Sequence, residues 1–257
     1  MEFFSRYNPN HSSAQFSKVF EQTKVLHVLK CNENLDISSF YKDLASKCGI
    51  PMVYEEDPIT GKINFEKWTE IKYVPEKSTD TYKHSNKSQP LHTDYGYFSF
   101  EIFASFFYCA EQAEFGGATT FIDAKIIFSV LESVDKKLLK AIQETKIHFG
   151  RNDSPLANNL DYILQKDSTE WLINWNYYRA LRDEQNKGLV EDFKAFVDHY
   201  LEKSGELTEL KLQPGEGVFF HDRRVLHGRN SFVGNRQLNK GGIAKSLPLS
   251  LQEVLPK

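Results

Sequence analysis

The distribution of strand-forming residues is the feature that most constrains the fold. They concentrate in two stretches, 91–110 and 207–244, and the residues between them repeat with helical spacing. The first stretch is dense in Tyr, Phe and Ile, the composition of consecutive buried strands. The second breaks into 207–212, a Pro-Gly-Glu-Gly turn, 218–221, 225–229 and 237–244. Between the two stretches, Gly116-Gly117 marks a turn. Asp123 is placed to cap a helix in which Ile127, Val130, Leu131, Val134 and Leu138 recur on one face. A second amphipathic helix is predicted over 187–203, with Leu189, Phe193, Phe196, Val197 and Tyr200 on its apolar side. Strands that flank a helical middle do not build alternating βαβ units. They predict a mainly β chain with flanking helices, a barrel or sandwich with the helices packed outside.

Length and charge narrow the class further. A chain of 257 residues with 40% hydrophobic content suits one large domain. The expected division is a single domain over 1–257, with helices and strands in 1–80 and the barrel core, with its helical insert, in 84–245. Asp36 should cap a helix over 36–48 that presents Phe40 and Leu44 on one face and stops at Gly49 and Pro51. Residues 51–90 hold short apolar pieces between turn signals such as Asp-Pro-Ile-Thr-Gly, and 75–90 is polar enough to expect a mobile loop. The formal net charge is −3 with no long block of one sign, which gives no reason to expect nucleic acid or an anionic membrane as partner. No apolar run approaches the roughly 18 residues of a membrane span, and the first residues lack the basic-then-apolar pattern of a secretion signal. Cys31, Cys48 and Cys109 are odd in number and far apart, unlike a disulfide framework or a zinc site. A cytoplasmic protein is expected.

The chemistry enters with Leu-His-Thr-Asp-Tyr-Gly at 91–96. On a strand, residues two apart point the same way, so His92 and Asp94 share a face and Thr93 faces away. An imidazole and a carboxylate are two parts of the two-histidine, one-carboxylate facial set that holds Fe(II) and leaves coordination positions open. The triplet alone is weak: eight histidines and 35 acidic residues in 257 make one such triplet expected by chance. A surface ion pair or a satisfied core histidine explains it equally well.

A further histidine would complete the set. The stretch Gly-Glu-Gly-Val-Phe-Phe-His-Asp-Arg-Arg-Val-Leu-His-Gly-Arg at 215–229 offers two, His221 before a polar turn and His227 after the apolar pair Val225-Leu226. His227 is the preferred ligand and His221 reads as a barrel-wall residue. Downstream, Arg236 and Lys240 lie four apart and share a face if extended. Arginine there could grip a carboxylate bidentately. On spacing alone, solvated strand-end charges explain both.

Taken together, His-Thr-Asp at 92–94, Gly-Gly-Ala-Thr-Thr-Phe at 116–121, Asp-Arg-Arg-Val-Leu-His-Gly-Arg at 222–229 and then Arg236 resemble the taurine dioxygenase and γ-butyrobetaine hydroxylase group of Fe(II)- and 2-oxoglutarate-dependent oxygenases. The resemblance runs from about residue 84 to residue 245. It implies a double-stranded β-helix, a jelly-roll barrel with helices outside and iron at one mouth. It makes His92, Asp94 and His227 the iron ligands, and it matches Thr119 and Arg236 to the residues that hold the distal carboxylate of 2-oxoglutarate. Arg236 follows His227 by nine residues, closer than is usual in the family, which implies a shortened loop around 233–235 and leaves Lys240 as the fallback. In the preferred alignment Lys240 falls where taurine dioxygenase holds an anionic group of its substrate.

The resemblance further implies oxidation of a small substrate by O2, with 2-oxoglutarate converted to succinate and CO2. Related halogenases replace the ligand carboxylate with a small residue, so Asp94 points to a hydroxylase, and desaturation or ring formation uses the same ligands. Tyr95 and the segment at 171–183, with Trp175, Asn176 and Arg179, are the substrate-facing candidates, and a free amino acid or compact carboxylate is the expected substrate. The alternative is a cupin-like metal-binding jelly-roll, an isomerase or a binding protein, without 2-oxoglutarate chemistry. A zinc hydrolase would need a base beside the metal water, and no His-Glu-x-x-His element is present.

Overall fold

The structure is a computed structural model that describes residues 1–9, 15–30, 36–56, 63–64, 67–78, 81–150 and 157–248. Cys31 and the turn signal at 57–61 lie outside the described residues, as do positions 79 and 80 of the expected loop. Two sheets form the barrel. The larger runs in the order Glu2–Tyr7, Thr23–Val28, Gly217–His221, Ile102–Glu111, Gln237–Ala244, Ile50–Met52, with Thr69–Lys72 also paired to Gln237–Ala244. The smaller runs Thr208–Leu210, Thr119–Asp123, Val225–Arg229, Gln89–His92. Three strands of the large sheet precede residue 84 besides Glu2–Tyr7, so the N-terminal part is woven into the barrel instead of standing beside it.

Period-two alternation explains what each sheet buries. In Ile102–Glu111, Phe107 and Cys109 join Phe121, Val218, Phe220, Val225 and Leu238 in the cluster between the sheets. Their neighbours Ala104, Phe106 and Tyr108 face the other way, onto the helices Phe16–Glu21 and Ile37–Ser46. Phe219 lies on that outer face as well, stacked on Phe106 with ring centroids 5.0 Å apart. On the small sheet, Leu91, Ile122 and Leu226 turn outward into a third cluster built by the helical insert. The barrel interior is therefore lined by alternate residues of both sheets, and burying side chains of this size at about 25 cal/mol per Å² of apolar surface holds the sheets face to face.

The expected strands 225–229 and 237–244 are found as Val225–Arg229 and Gln237–Ala244. Helix Ile37–Ser46 starts where Asp36 accepts the amides of Ser38 and Ser39. The insert departs from expectation in two places. The helix capped by Asp123 ends at Val134, and Asp135 begins a second one, Lys136–Glu144, by accepting the Leu138 amide at 2.9 Å. An aspartate that satisfies an orphan amide there competes with continuing the first helix. The later helix is α over Lys187–Phe196 and widens to a π turn over Val197–Leu201. Widening rotates the apolar face, so Leu201 is buried and Tyr200 is 50% exposed. Among the described residues no helix is long and apolar enough to cross a membrane.

Candidate active site

The small sheet brings the two histidines together. His227 lies opposite His92 in the register of Val225–Arg229 and Gln89–His92, with ring centroids 4.3 Å apart. Asp94 follows just beyond the strand end. Its Oδ1 is 3.6 Å from His92 Nε2 and its Oδ2 is 3.6 Å from His227 Nε2. One ligand atom from each residue falls within 4.8 Å of the others. Alternation also settles the choice between histidines. His221 points outward with Phe219, stacks on Phe20 at 4.5 Å and bonds the Phe20 carbonyl through Nε2 at 3.2 Å. It takes no part in the cluster.

The protonation pattern suits a metal. The carbonyl of Pro90 can only accept, so His92 Nδ1 donates to it at 2.9 Å and Nε2 is left as the acceptor. The Gln89 amide donates to that Nε2 at 3.1 Å. Gln89 reaches the inner face because the pairing slips there: His227 and Arg229, two apart, face His92 and Gln89, three apart. His227 is positioned by packing. Phe107, Phe121 and Phe220 surround its ring, and Nδ1 has no partner. Burial pushes its pKa down to about 3, so the imidazole is neutral and available as a ligand. Burial alone would raise the Asp94 carboxyl, but the Lys240 ammonium outweighs it and holds the group well below the usual carboxylate range. Two imidazoles and one carboxylate are the donor set that suits Fe(II) with open positions.

Several residues to which the sequence assigned no role at the metal cluster support it. Ser105 donates its hydroxyl to Asp94 Oδ2 at 2.9 Å. Asp222 accepts the backbone amides of Asp94 and Tyr95, each at 2.8 Å. Burial and the nearby Asp94 push the Asp222 carboxyl up to about 6. Asn174 and Asn159 both donate to the Gly96 carbonyl, at 2.8 and 2.9 Å. A Cβ at Gly96 would sit 1.9 Å from Asn174 Oδ1, which is why glycine ends the motif. The one available signal was Ser105, a lone hydroxyl at an inward position of an otherwise apolar strand.

The substrate-facing candidates separate. Lys240 pairs with Asp94 Oδ1 and lies 4.7 Å over the Tyr95 ring, so both stand at the cluster. Trp175 instead is 2% exposed and packs edge-on to Phe193 at 4.7 Å, in the insert core. Its backbone carbonyl takes the Thr93 amide at 2.6 Å, and Asn176 donates to the Thr93 carbonyl at 3.3 Å. These two residues support the ligand segment from its far side. An indole needs a packing partner more than a polar one, and the helix Lys187–Phe196 supplies it. Arg179 is half-buried, 5.0 Å over the Tyr97 ring.

Arg236 lies elsewhere, roughly 13 Å along the strand from Lys240. It is 3% exposed and donates Nε to the Gly117 carbonyl at 3.0 Å. Gly117 has φ +75°, and a Cβ there would meet Arg236 Cδ at 3.1 Å, so the double glycine is needed for the arginine to lie against the turn. Thr119 is buried two residues on, opposite Arg229. Burial and the charge of Arg229 push the Arg236 pKa down to about 9, and among the described residues no carboxylate pairs with it. A buried guanidinium held so fits an anion such as a carboxylate. Lys240, tied to Asp94, is not at this position.

Residues 58–241 match the family described as taurine catabolism dioxygenase TauD, TfdA family. Gamma-butyrobetaine dioxygenase of Homo sapiens is 24% identical over 164 residues, 58% of this chain and 41% of that protein. The chain spans less than half the length of the curated relatives it matches. An asparagine oxygenase solved with Fe(II), 2S,3S-3-hydroxyasparagine and succinate superposes with a TM-score of 0.66 at 11% identity, over 91% of this chain and 78% of that one. A taurine dioxygenase from Burkholderia xenovorans superposes with a TM-score of 0.63 at 12% identity, over 96% and 88%. The barrel is thus the double-stranded β-helix of these oxygenases.

Proposed function

The chain belongs to the taurine catabolism dioxygenase TauD/TfdA family, and from that premise we propose that it is a single-domain Fe(II)- and 2-oxoglutarate-dependent oxygenase that hydroxylates a free amino acid or a similarly compact carboxylate. The buried cluster of His92, Asp94 and His227 carries the reading. These three residues would hold the iron. Arg236, with Thr119 beside it, would hold the distal carboxylate of 2-oxoglutarate, which gives the buried guanidinium the anion it lacks among described residues. Bound iron and 2-oxoglutarate supply the oxidising chemistry, in which O2 is reduced, 2-oxoglutarate becomes succinate and CO2, and a C–H bond of the substrate becomes C–OH.

The protein's own share is placement and exclusion of water. Asp94 and the two imidazoles would supply three ligands to the metal and leave positions for co-substrate and O2. Lys240 and Tyr95 stand beside Asp94, where an ammonium over an aromatic ring suits a substrate carboxylate. Arg179, over Tyr97, is the outer cation of the same loop region. Trp175 and Asn176 act through Thr93, without touching substrate. An amino-acid substrate is supported by the hydroxyasparagine held in the asparagine oxygenase. A cytoplasmic setting fits the thiols of Cys48 and Cys109, both free.

The test is anaerobic titration of the apoprotein with Fe(II) and then 2-oxoglutarate, watching for the weak visible charge-transfer band of the chelate. A band supports the reading, and succinate release then screens amino acids and small carboxylates. Iron binding without a band removes the 2-oxoglutarate assignment and favours a metal-binding jelly-roll of another activity.

A further inference from the structure

Asp94 has no sheet ladder to hold it. The strand ends at His92, and residues 93–101 run as turns and bends before Ile102–Glu111 begins. A metal ligand on irregular backbone is only as well placed as the contacts that fix that backbone. The side chain of Asp94 is held by Ser105. The two consecutive amides of Asp94 and Tyr95 are taken by one group, a carboxylate whose two oxygens each accept one of them at 2.8 Å.

We propose that Asp222 is the positioning residue of the metal centre: its carboxylate fork fixes the backbone at Asp94 and Tyr95 and so sets the Asp94 carboxylate against His227. This rests on the reading of His92, Asp94 and His227 as metal ligands. Asp222 is fully buried, at 0% exposure, which is costly for a carboxylate that a simple hairpin turn would not require. The turn itself is closed without its side chain, by the Arg224 amide on the His221 carbonyl at 3.0 Å. The Asp222 amide donates to the Phe103 carbonyl at 3.0 Å, two residues before Ser105. One residue thus joins the turn that leads into the His227 strand, the Ser105 strand and the Asp94 backbone. Both amides are satisfied only by a group with two acceptors in a fork. An asparagine in the same place offers one acceptor and turns a donor toward the second amide.

The experiment compares wild type and Asp222→Asn as folded apoproteins. Each is titrated anaerobically with Co(II) and with Fe(II), then with 2-oxoglutarate. The expected result is metal binding weakened about 10- to 100-fold, the usual cost of removing an outer partner of a ligand, with the chelate band shifted or lost and the fold by circular dichroism retained. Wild-type metal affinity and an unchanged band in a variant that merely melts earlier would make Asp222 a structural residue and overturn the proposal. Hydrogen exchange on wild-type apoprotein decides the matter should the variant fail to fold. Protected Asp94 and Tyr95 amides support the clamp, and exchange at the rate of an open loop overturns it. Wild type that binds neither metal defeats the metal-site reading itself, and this proposal with it. Wild type that binds as well as the variant defeats the Asp222 role alone.

Discussion

Replacing Arg236 with methionine should separate function from stability, because the guanidinium is held at a cost. Its pKa of about 9, against an ordinary 12.5, means that the charged form is disfavoured in the apoprotein. At 1.36 kcal/mol per pKa unit this amounts to up to about 4–5 kcal/mol. The sign follows from the direction. A base whose folded pKa is lowered is charged in both states at neutral pH, and the folded state carries the penalty. Methionine removes the penalty and keeps an alkyl stem near the Phe232 ring, which now lies 5.7 Å from the guanidinium. Against that stands the lost bond to the Gly117 carbonyl, about 1.5–3 kcal/mol for a charged donor. The apoprotein should therefore melt at the wild-type temperature or a few degrees above it, at about 2–4 °C per kcal/mol for a chain of this size. Binding of 2-oxoglutarate should go the other way. Losing a buried charge-assisted partner costs about 2–5 kcal/mol, or roughly 30- to 5,000-fold in Kd. Calorimetry of 2-oxoglutarate with the Fe(II) protein and a thermal melt without metal give both numbers. A melting temperature lowered by more than about 5 °C would make Arg236 a structural residue, and unchanged 2-oxoglutarate affinity would move the co-substrate carboxylate to another cation.

Asp94→Ala should abolish the chelate band and reduce succinate release below detection, since it removes the one anionic ligand of the cluster. Lys240→Met should leave the chelate band in place and raise the KM for substrate about tenfold or more, the loss of roughly 1.4 kcal/mol or greater; loss of the band instead would assign Lys240 to 2-oxoglutarate. Trp175→Ala should destabilise the protein by about 3–5 kcal/mol, read by denaturant melts, because the indole is buried against Phe193. Glu170 tests the pH dependence. Burial alone would raise its carboxyl, but the Lys24 ammonium and the N-terminal ammonium of Met1 together override this and hold it at about 2, below the ordinary 4.5. Its contribution is complete above about pH 4.5 and is lost as pH falls toward 2. Glu170→Gln should therefore be less stable than wild type at pH 7, by up to about 3 kcal/mol, and the two should converge near pH 2; a constant difference across that window would refute the assignment.

Alternation made the histidine pair of the cluster legible: His92 and His227 lie opposite each other on neighbouring strands, while Asp94 reaches them from the turn just beyond the strand end. The same rule separates His221 from His227, since Phe220 points inward and its neighbour must point out. What was illegible depends on long-range polar contacts. Asp222 reads as an ordinary turn residue until residue 94, 128 positions away, is folded against it. Trp175 and Asn176 have the chemistry of a binding surface, and only the position of the helix Lys187–Phe196 makes one of them core. The break at Asp135 was hidden for a different reason. Apolar spacing continues through it, and the cap competes locally with the helix.

The two sheets divide the work at the site, and the division exposes a weak point. The histidines come from the small sheet, while Arg236 and Lys240 come from a single strand run of the large one. Along Gln237–Ala244 the inward positions are even-numbered: Leu238 lies in the inter-sheet cluster, Lys240 meets Asp94, and a Cβ on Gly242 would touch Tyr95 at 2.8 Å. The odd positions serve the outside, where a Cβ on Gly241 would sit 2.5 Å from the Phe106 ring and Ile243 joins the helix-covered core. A slip of one residue would expel both cations from the interior and bring Asn235 and Asn239, or Gln237 and Gly241, into their places. The glycine pair at 241–242 resists that slip from both faces, because each position faces an aromatic ring with no room for a side chain. The positions of Arg236 and Lys240, proposed to anchor co-substrate and substrate, are therefore coupled to one register, which the packing of Phe106 and Tyr95 enforces.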